Sequence, residues 1–549
     1  MNVQTKKPWV ALVGPEIEEN LALRYLASSL EANDIRAEIL PFHDDGHFAS
    51  VLSRVLVDDP PAVVGLSLAF QWRALDMLSV AMALREGGYR GHITTGGHFA
   101  TFAAKDILAD FAEVDSICRQ EAEETLVKLV QAVVAGQPID AIPGVAHRTS
   151  DGVHLGEHPA LPDLATLPYA DRRGDPATCF GHGIAPLVGS RGCYANCTFC
   201  CIAAWHEQTL PGKRYRLRDP EDIAAEMVAM QRARGIEIFV FHDDNFFQPK
   251  KEQNLERFHA IADALERRGM GPFATVVKAR PTDVHEELFG VLRDRLHCIR
   301  CYVGIETDSE QGLLTLRRWA KPRHNHAAID VVRGLDLYTC FNMLVFDPDT
   351  TIETLTTNIE FMEWATELPF NFCRVELYAG TPLLERMKIE RRTHGDWMQH
   401  DYELKDETIE RVFQLSMRAF HRRNFAAGAI ANHIMGMRFD IEVARKFHAD
   451  VFDPRWLVEG KALSAQLGGD TARGLRETIA HVTSTKPSTS GDDAFVEALA
   501  ARLRIVERDV WGSCRALAAR MTKTINRGLP ITSFGDVATP LQRAFVEVG

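Results

Sequence analysis

The chain has 549 residues, 46% hydrophobic and 25% charged, which is more than one core holds and predicts two to three domains of ordinary soluble composition. A net charge of −13, from 62 Lys+Arg against 75 Asp+Glu, excludes a general nucleic-acid binder. No apolar run approaches the roughly 20 residues of a membrane helix, and Met1–Pro8 lacks the apolar core of a signal peptide. Eleven cysteines with no disulfide framework suit a reducing compartment, so a cytoplasmic protein without membrane contact is expected.

Residues 1–145 read as an alternating α/β unit. Val10–Gly14 is a short buried strand, and Leu21–Leu30 carries apolar residues at helical spacing. Ala37–Leu40 and Ala62–Leu68 follow as strands, then a helix over Leu75–Glu86, strand His92–Thr95, a short strand at Val114–Cys118 and a helix from Glu121 to Val134. That alternation predicts a doubly wound parallel sheet. Ligands of such sheets sit beyond the strand carboxyl ends, where Gly14, Ser67, Gly96 and Gly97 fall. The pattern alone does not identify the ligand.

A connector rich in Pro, Gly, Asp and His spans 146–184 and reads as an ordered strap. Strand Ala185–Val188 then feeds the loop Ser190-Arg-Gly-Cys-Tyr-Ala-Asn-Cys-Thr-Phe-Cys-Cys201, in which Cys193, Cys197 and Cys200 stand as CxxxCxxC. Three thiolates on one short loop can hold three irons of a 4Fe–4S cube and leave the fourth open. A zinc loop needs a second half, and no matching one stands out. This motif, with an aromatic (Phe199) before the third cysteine, resembles that of radical S-adenosylmethionine (SAM) enzymes over residues 185–385. The resemblance implies that the open iron chelates SAM and that one electron cleaves it to a 5′-deoxyadenosyl radical. Cys201 departs from the minimal motif and reads as a packed bystander.

Helix Pro220–Arg232 and strands at Ile236–His242, Phe273–Lys278, Ile299–Gly304, Phe341–Phe346 and Phe372–Leu377 complete six βα units, a partial (β/α)6 barrel with chemistry at its strand ends. By likeness to radical SAM enzymes, Asp244, Lys278, Glu306 and Arg318 are expected near SAM, carboxylates on its ribose and ammonium and a cation on its carboxylate. Surface ion pairs are the alternative for each. Cys298 and Cys301 form a CxxC by letters but sit on a strand pattern, so packing is expected. The turns Phe346–Thr350 and Tyr378–Pro382 are candidates for the substrate mouth, although turn chemistry alone would also explain them. From 386 to 549 the pattern is helical, with a flexible joint at Lys486–Gly491.

The N-terminal unit orders its pieces as strand, Gly14-Pro15, a Tyr25-Leu-Ala27 helix, Gly65-Leu-Ser67, Thr95-Gly-Gly-His-Phe-Ala100 and Cys118-Arg-Gln-Glu121. That series resembles the cobalamin-binding domain of cobalamin-dependent radical SAM enzymes, where the glycine pair admits the dimethylbenzimidazole tail. The resemblance implies cobalamin contacts at Gly14, Ser67, Gly96, Gly97, His98 and Glu121. Many such domains place a cobalt-ligating histidine after the first strand; here Gly14–Glu19 has none, and His43 reads as a turn residue. Base-off cobalamin is implied, with Gln71, Trp72 and Arg73 under the cobalt; plain core packing accounts equally well for Trp72.

The whole is identified as a member of that family. The resemblance implies a methyltransferase that moves a methyl group from SAM, via methylcobalamin, to an unactivated carbon or phosphorus of a natural-product-type small molecule or peptide. A flavodoxin or ferredoxin would supply electrons. A non-methylating rearrangement or cyclisation is the alternative, and a corrinoid carrier or sensor a second. A methylthiotransferase would need a second cluster domain with three more cysteines, which the sequence does not show.

Overall fold

The structure is a computed structural model that describes residues 7–207 and 215–526; most of the segment inspected for a signal peptide lies outside them. Two compact units emerge. One comprises Met1–Asp175, Ser190–Arg218 and Glu376–Tyr402; the other comprises Pro176–Gly189, Asp219–Val375 and Glu403–Gly549.

In the first unit, β1 (Trp9–Gly14), β2 (Arg36–Pro41), β3 (Val63–Ser67), β4 (His92–Gly96), β5 (Ser116–Cys118), β6 (Val145–Thr149) and β7 (Gly152–Leu155) form one sheet in the order β2-β1-β3-β4-β5-β6-β7. The first five strands are parallel, as the alternation with helices predicts. Part of the expected strap is different: β6 and β7 pair antiparallel and extend the sheet. Apolar Val145 and Ala146 give it that edge. The central strands are apolar on both faces because helices cover both. Trp9, Ala11 and Val13 pack with the helices Ala74–Glu86 and Ala104–Asp110, whereas Val10 and Leu12 pack with Leu21–Glu31 and Glu123–Ala135.

In the second unit, β8 (Ala177–Cys179) pairs antiparallel with β9 (His182–Leu187). The pair β10 (Ser190–Gly192) and β11 (Tyr215–Leu217) is a separate two-stranded ribbon of the first unit. The barrel sheet continues with β12 (Ile236–Phe241), β13 (Ala274–Ala279), β14 (Cys298–Val303), β15 (Thr339–Phe346) and β16 (Phe370–Arg374), parallel and in chain order after β9. Six parallel strands in that order make the expected partial barrel.

Its concave face shows period 2. Ile184, Ile238, Val240, Ala274, Val276 and Cys340 share one cluster with Met435, Phe439 and Val443 of the helix Ile430–Phe447. The opposite stripe of that helix (Ile434, Met437, Ile441) packs on the long helices Pro454–Ser484 and Thr489–Ile525. It is therefore buried nearly all round, Arg438 and Glu442 included, and plugs the barrel. The joint expected at Lys486–Gly491 is shorter than read, because Ser488 caps the last helix and Gly491 is already inside it. Among the described residues no helix is long and apolar enough to cross a membrane.

Beneath the barrel floor the Cys179 thiol donates to Asp440 (3.4 Å). Burial pushes the Asp440 carboxyl from its ordinary 3.8 up to about 7, against that hydrogen bond and the nearby Arg300. The folded chain thus keeps a proton that the unfolded chain loses between those values. Stability from this group is full below 3.8 and lost progressively as pH rises to about 7. Asp440→Asn is expected to flatten that slope, raising the unfolding midpoint relative to the parent at pH 8 but not at pH 4. Thermal unfolding across that range checks it.

Candidate functional site

The first unit gathers the cysteine loop and the carboxyl ends of the parallel strands β1–β5. Gly14 ends β1 beside Ser67, and a Cβ at Gly14 would stand 2.7 Å from the Ser67 Cβ, so this strand junction admits no side chain. Gly97 has φ +113°, and a Cβ there would meet the Leu68–Ala69 backbone at 2.9 Å. The glycine pair thus serves a close approach within the chain itself, closed by Leu68 N–H to Gly96 O (2.7 Å) and Ala100 N–H to Leu68 O (3.1 Å). The adjoining Thr95 hydroxyl is buried without a protein hydrogen-bond partner.

The segment expected beneath the cobalt divides in two ways. Trp72 is 52% exposed, which removes the core-packing account of it, and stacks on Phe70 (6.3 Å). Gln71 and Arg73 are buried: Gln71 Oε1 accepts from Ala379 N–H (3.3 Å), and Arg73 donates to His43 O (2.7 Å). His43 itself accepts from Glu16 N–H (3.2 Å), a turn role as expected. His98 meets the Trp205 ring edge-on at 4.8 Å, on the helix Cys201–Glu207 that leaves the cluster loop.

Glu121 has partners that sequence reading did not supply. Gln120, with φ +65°, turns the chain at the end of β5. Arg191, two residues before Cys193, then grips Glu121 and Glu123 at 2.7 Å each, and Arg216 grips Glu121 from β11 and donates to Pro162 O (2.6 Å). Arg191 also lies over the Tyr25 ring (4.9 Å). The ribbon β10–β11, which brackets the cluster loop, is therefore bolted to the N-terminal sheet by buried charge-assisted bonds. Arg191 and Arg216 carry no motif letter, so only the fold could reveal them.

Within the loop Cys197 is buried, and Cys193 and Cys200 are half-buried. Cys193 Sγ accepts from Ala195 N–H (3.4 Å), and Thr198 O accepts from Leu383 N–H (2.9 Å). The Cys200 thiol is pushed well up, first by burial and then by the charges of Cys201, Cys197 and Cys193. That crowding of thiols demands positive charge to become thiolates, which iron supplies. Among the described residues no set of three or more His, Cys, Asp and Glu side chains already stands as a metal site; the loop fits a cluster by its donor chemistry. Cys201, expected as packed, is half-buried and opens the following helix.

In the second unit, period 2 carries the concave face from an apolar floor to a polar rim. Val240 leads to His242 and Asp244, Val276 to Lys278 and Arg280, and Tyr302 to Gly304 and Glu306. Asp244 is exposed at the end of β12, whereas its neighbour Asp243 is buried and accepts from Gly189 N–H (2.9 Å); Arg257 donates to Gly189 O (3.0 Å). The residue that leads into the cluster loop is thus tied to the end of β12. Lys278 is half-buried and pairs in register with Tyr302.

Glu306 occupies left-handed backbone (φ +64°) and bridges to β15 through Leu344 N–H (2.5 Å). Burial raises its carboxyl, opposed by Arg318 and Arg280. Arg318 Nη2 lies 3.9 Å from Glu306 Oε1 and donates to Gly304 O (2.5 Å); Arg280 donates to Arg318 O. Arg317 (φ +51°) and Trp319 (φ +54°) flank Arg318. Left-handed bulky residues cost about 1–3 kcal/mol each and cluster at functional sites. Arg280 belongs to this group but was not among the expected residues; its place in the β13 inner series was the available signal. Cys298 and Cys301 are buried in the strand, as expected.

Comparison with known proteins matches residues 10–130 to the B12 binding domain and 187–362 to the radical SAM superfamily, together more than half of the chain. An uncharacterized methyltransferase of Pyrococcus horikoshii is 24% identical over 66% of this chain and 77% of its own length. The hopanoid C-3 methylase of Methylococcus capsulatus is 27% identical over 64% of this chain, and the match spans 65% of that relative, just under two thirds. Among solved structures, the cobalamin-dependent SAM radical enzyme OxsB with aqua-cobalamin bound has a TM-score of 0.66 at 16% identity, covering 99% of this chain and 84% of its own, which establishes the shared fold.

Proposed function

Since the chain belongs to the cobalamin-dependent radical SAM enzymes, whose cofactors are cobalamin, SAM and a 4Fe–4S cluster, we propose that it is a methyltransferase acting on an unactivated carbon or phosphorus of a small molecule. The observation that carries this reading is that one compact unit holds both the CxxxCxxC loop and the B12-type sheet, bolted together at Glu121. A cluster supplies one-electron cleavage of SAM and cobalamin a methyl-carrying metal.

Cys193, Cys197 and Cys200 hold the cluster. Gly14, Ser67, Gly96, Gly97 and His98 border the cobalamin cleft, to which the unpartnered Thr95 hydroxyl offers a hydrogen bond, and the exposed Trp72 faces its ligand. Asp244, Lys278, Glu306 and Arg318, with Phe199, orient SAM. On the same reading the chain divides into a cobalamin domain (1–145, whose sheet β6 and β7 extend to Leu155), a connector that runs on to 184, a barrel (185–385) and a helical part (386–549). A flavodoxin-type or ferredoxin-type protein reduces it. The methylase named among the relatives supports methyl transfer.

Anaerobic reconstitution tests this reading. About four irons and one corrinoid per chain are expected, together with transfer of a CD3 group from labelled SAM into a product heavier by that group. Corrinoid with SAM cleavage but no mass gain would replace methylation by rearrangement or cyclisation. Corrinoid without cleavage would leave a carrier. Glu306→Gln is expected to weaken SAM binding to the reconstituted protein about tenfold, one charge-assisted hydrogen bond, with cluster and corrinoid content unchanged. Equilibrium dialysis of labelled SAM reads it.

A further inference from the structure

The turn Tyr378–Thr381 joins two places that sequence reading kept apart. It closes by Thr381 N–H to Tyr378 O (3.3 Å) and needs Gly380 in left-handed backbone (φ +75°). On one side Ala379 N–H is held by Gln71 Oε1 (3.3 Å), and a Cβ at Gly380 would overlap the Phe102 ring. Gln71 opens the 3-10 turn Gln71–Arg73 after β3, and Phe102 ends the short helix His98–Phe102 after β4. On the other side Thr381 caps the helix Pro382–Ile389, whose Leu383 N–H donates to Thr198 O, the residue after Cys197. All of these residues belong to the first compact unit.

We infer that Gly380 and Phe102 are positioning residues: the 378–383 strap fixes the middle of the cluster loop against the ligand end of the B12-type sheet, as Arg191 and Arg216 fix its ends. The inference rests on the proposed cluster and cobalamin reading for its role in the reaction, and on the geometry alone for the strap. The turn expected at the substrate mouth thus has a second task. The Gly380–Phe102 contact sets the strap's height, because an aromatic ring fills the space that any side chain would need. The bond from Leu383 transmits that height to the backbone carrying Cys197 and Cys200.

Hydrogen exchange of the cofactor-free protein, with the EPR spectrum of the reduced, reconstituted cluster, tests it. In Gly380→Ala, exchange across 193–201 is expected to rise about tenfold while β1–β5 stay protected, and the EPR signal to shift with corrinoid content unchanged. Adding Phe102→Ala removes the overlap and is expected to recover part of both effects. Parent-like exchange and spectra in Gly380→Ala, a rise spread over the whole unit, or no recovery in the double variant would overturn the inference. A parent protein that assembles no cluster would sink the functional reading instead, and the exchange data would still decide the strap.

Discussion

Replacing Cys193, Cys197 and Cys200 together by alanine abolishes reductive SAM cleavage and leaves corrinoid bound. The expectation follows from where the thiols sit. They lie on a loop whose ends are held by Arg191 and Arg216 and whose middle is held by Leu383. None of those contacts uses a cysteine sulfur, so the loop keeps its anchors when the sulfurs go. The strand ends Gly14, Ser67 and Gly96 are likewise built from backbone and small side chains alone. Activity should fall to the level without enzyme, because the reading assigns all three cluster ligands to these thiols. 5′-Deoxyadenosine formation and the corrinoid spectrum are the two readouts. Loss of corrinoid along with the cluster would show that the halves of this unit fold as one.

Arg423→Ala is expected to destabilise the second unit by about 3–5 kcal/mol, since it strands the buried Glu507 carboxylate and takes one of its arginines from the buried Asp470. Arg423 is fully buried in a π-helical turn, His421–Phe425. It pairs with Asp470 at 2.8 Å and Glu507 at 3.2 Å, and donates to Leu503 O at 2.8 Å. One guanidinium therefore ties together the long helices Pro454–Ser484 and Thr489–Ile525. The next residue, Asn424, donates to Asn371 Oδ1 on β16 (2.7 Å), so the turn also docks these helices on the last barrel strand. Burial alone would raise the Asp470 carboxyl, but Arg423 and Arg502 outweigh it and hold the group below its ordinary value. Arg418→Ala makes the contrast: its pair with Asp493 (2.6 Å) is about half exposed and should contribute under about 1 kcal/mol. Urea unfolding of both variants measures the difference. Similar losses for the two would mean that burial does not set the strength of these pairs.

Much of the architecture was legible before any coordinates. Parallel strands covered on both faces read as short apolar runs, so β1, β3, β12 and β15 stood out, and the glycines and serine placed the ends of β1, β3 and β4. The cysteine motif was legible for a different reason, because three ligands on one loop are a local property of the chain. The plug Ile430–Phe447 was legible only as part of a helical stretch, since a helix buried nearly all round, with Arg438 and Glu442 inside, shows no clean apolar stripe. The strands β6 and β7 were hidden because a short edge hairpin has little apolar signal of its own.

By itself, then, the sequence determined the order of the two cofactor-type domains, the CxxxCxxC loop and the strands whose ends carry Asp244, Lys278 and Glu306, because each depends on neighbours a few residues apart. Tertiary structure decided everything that joins distant segments. It gave Glu121 to Arg191 and Arg216, Gln71 to Ala379, Thr198 to Leu383 and Arg318 to Gly304. Each of these is a hydrogen bond or ion pair between single residues with no periodicity to announce it. Its partner is chosen by how the chain returns in space, and that choice is made by the packed cores rather than by the local letters.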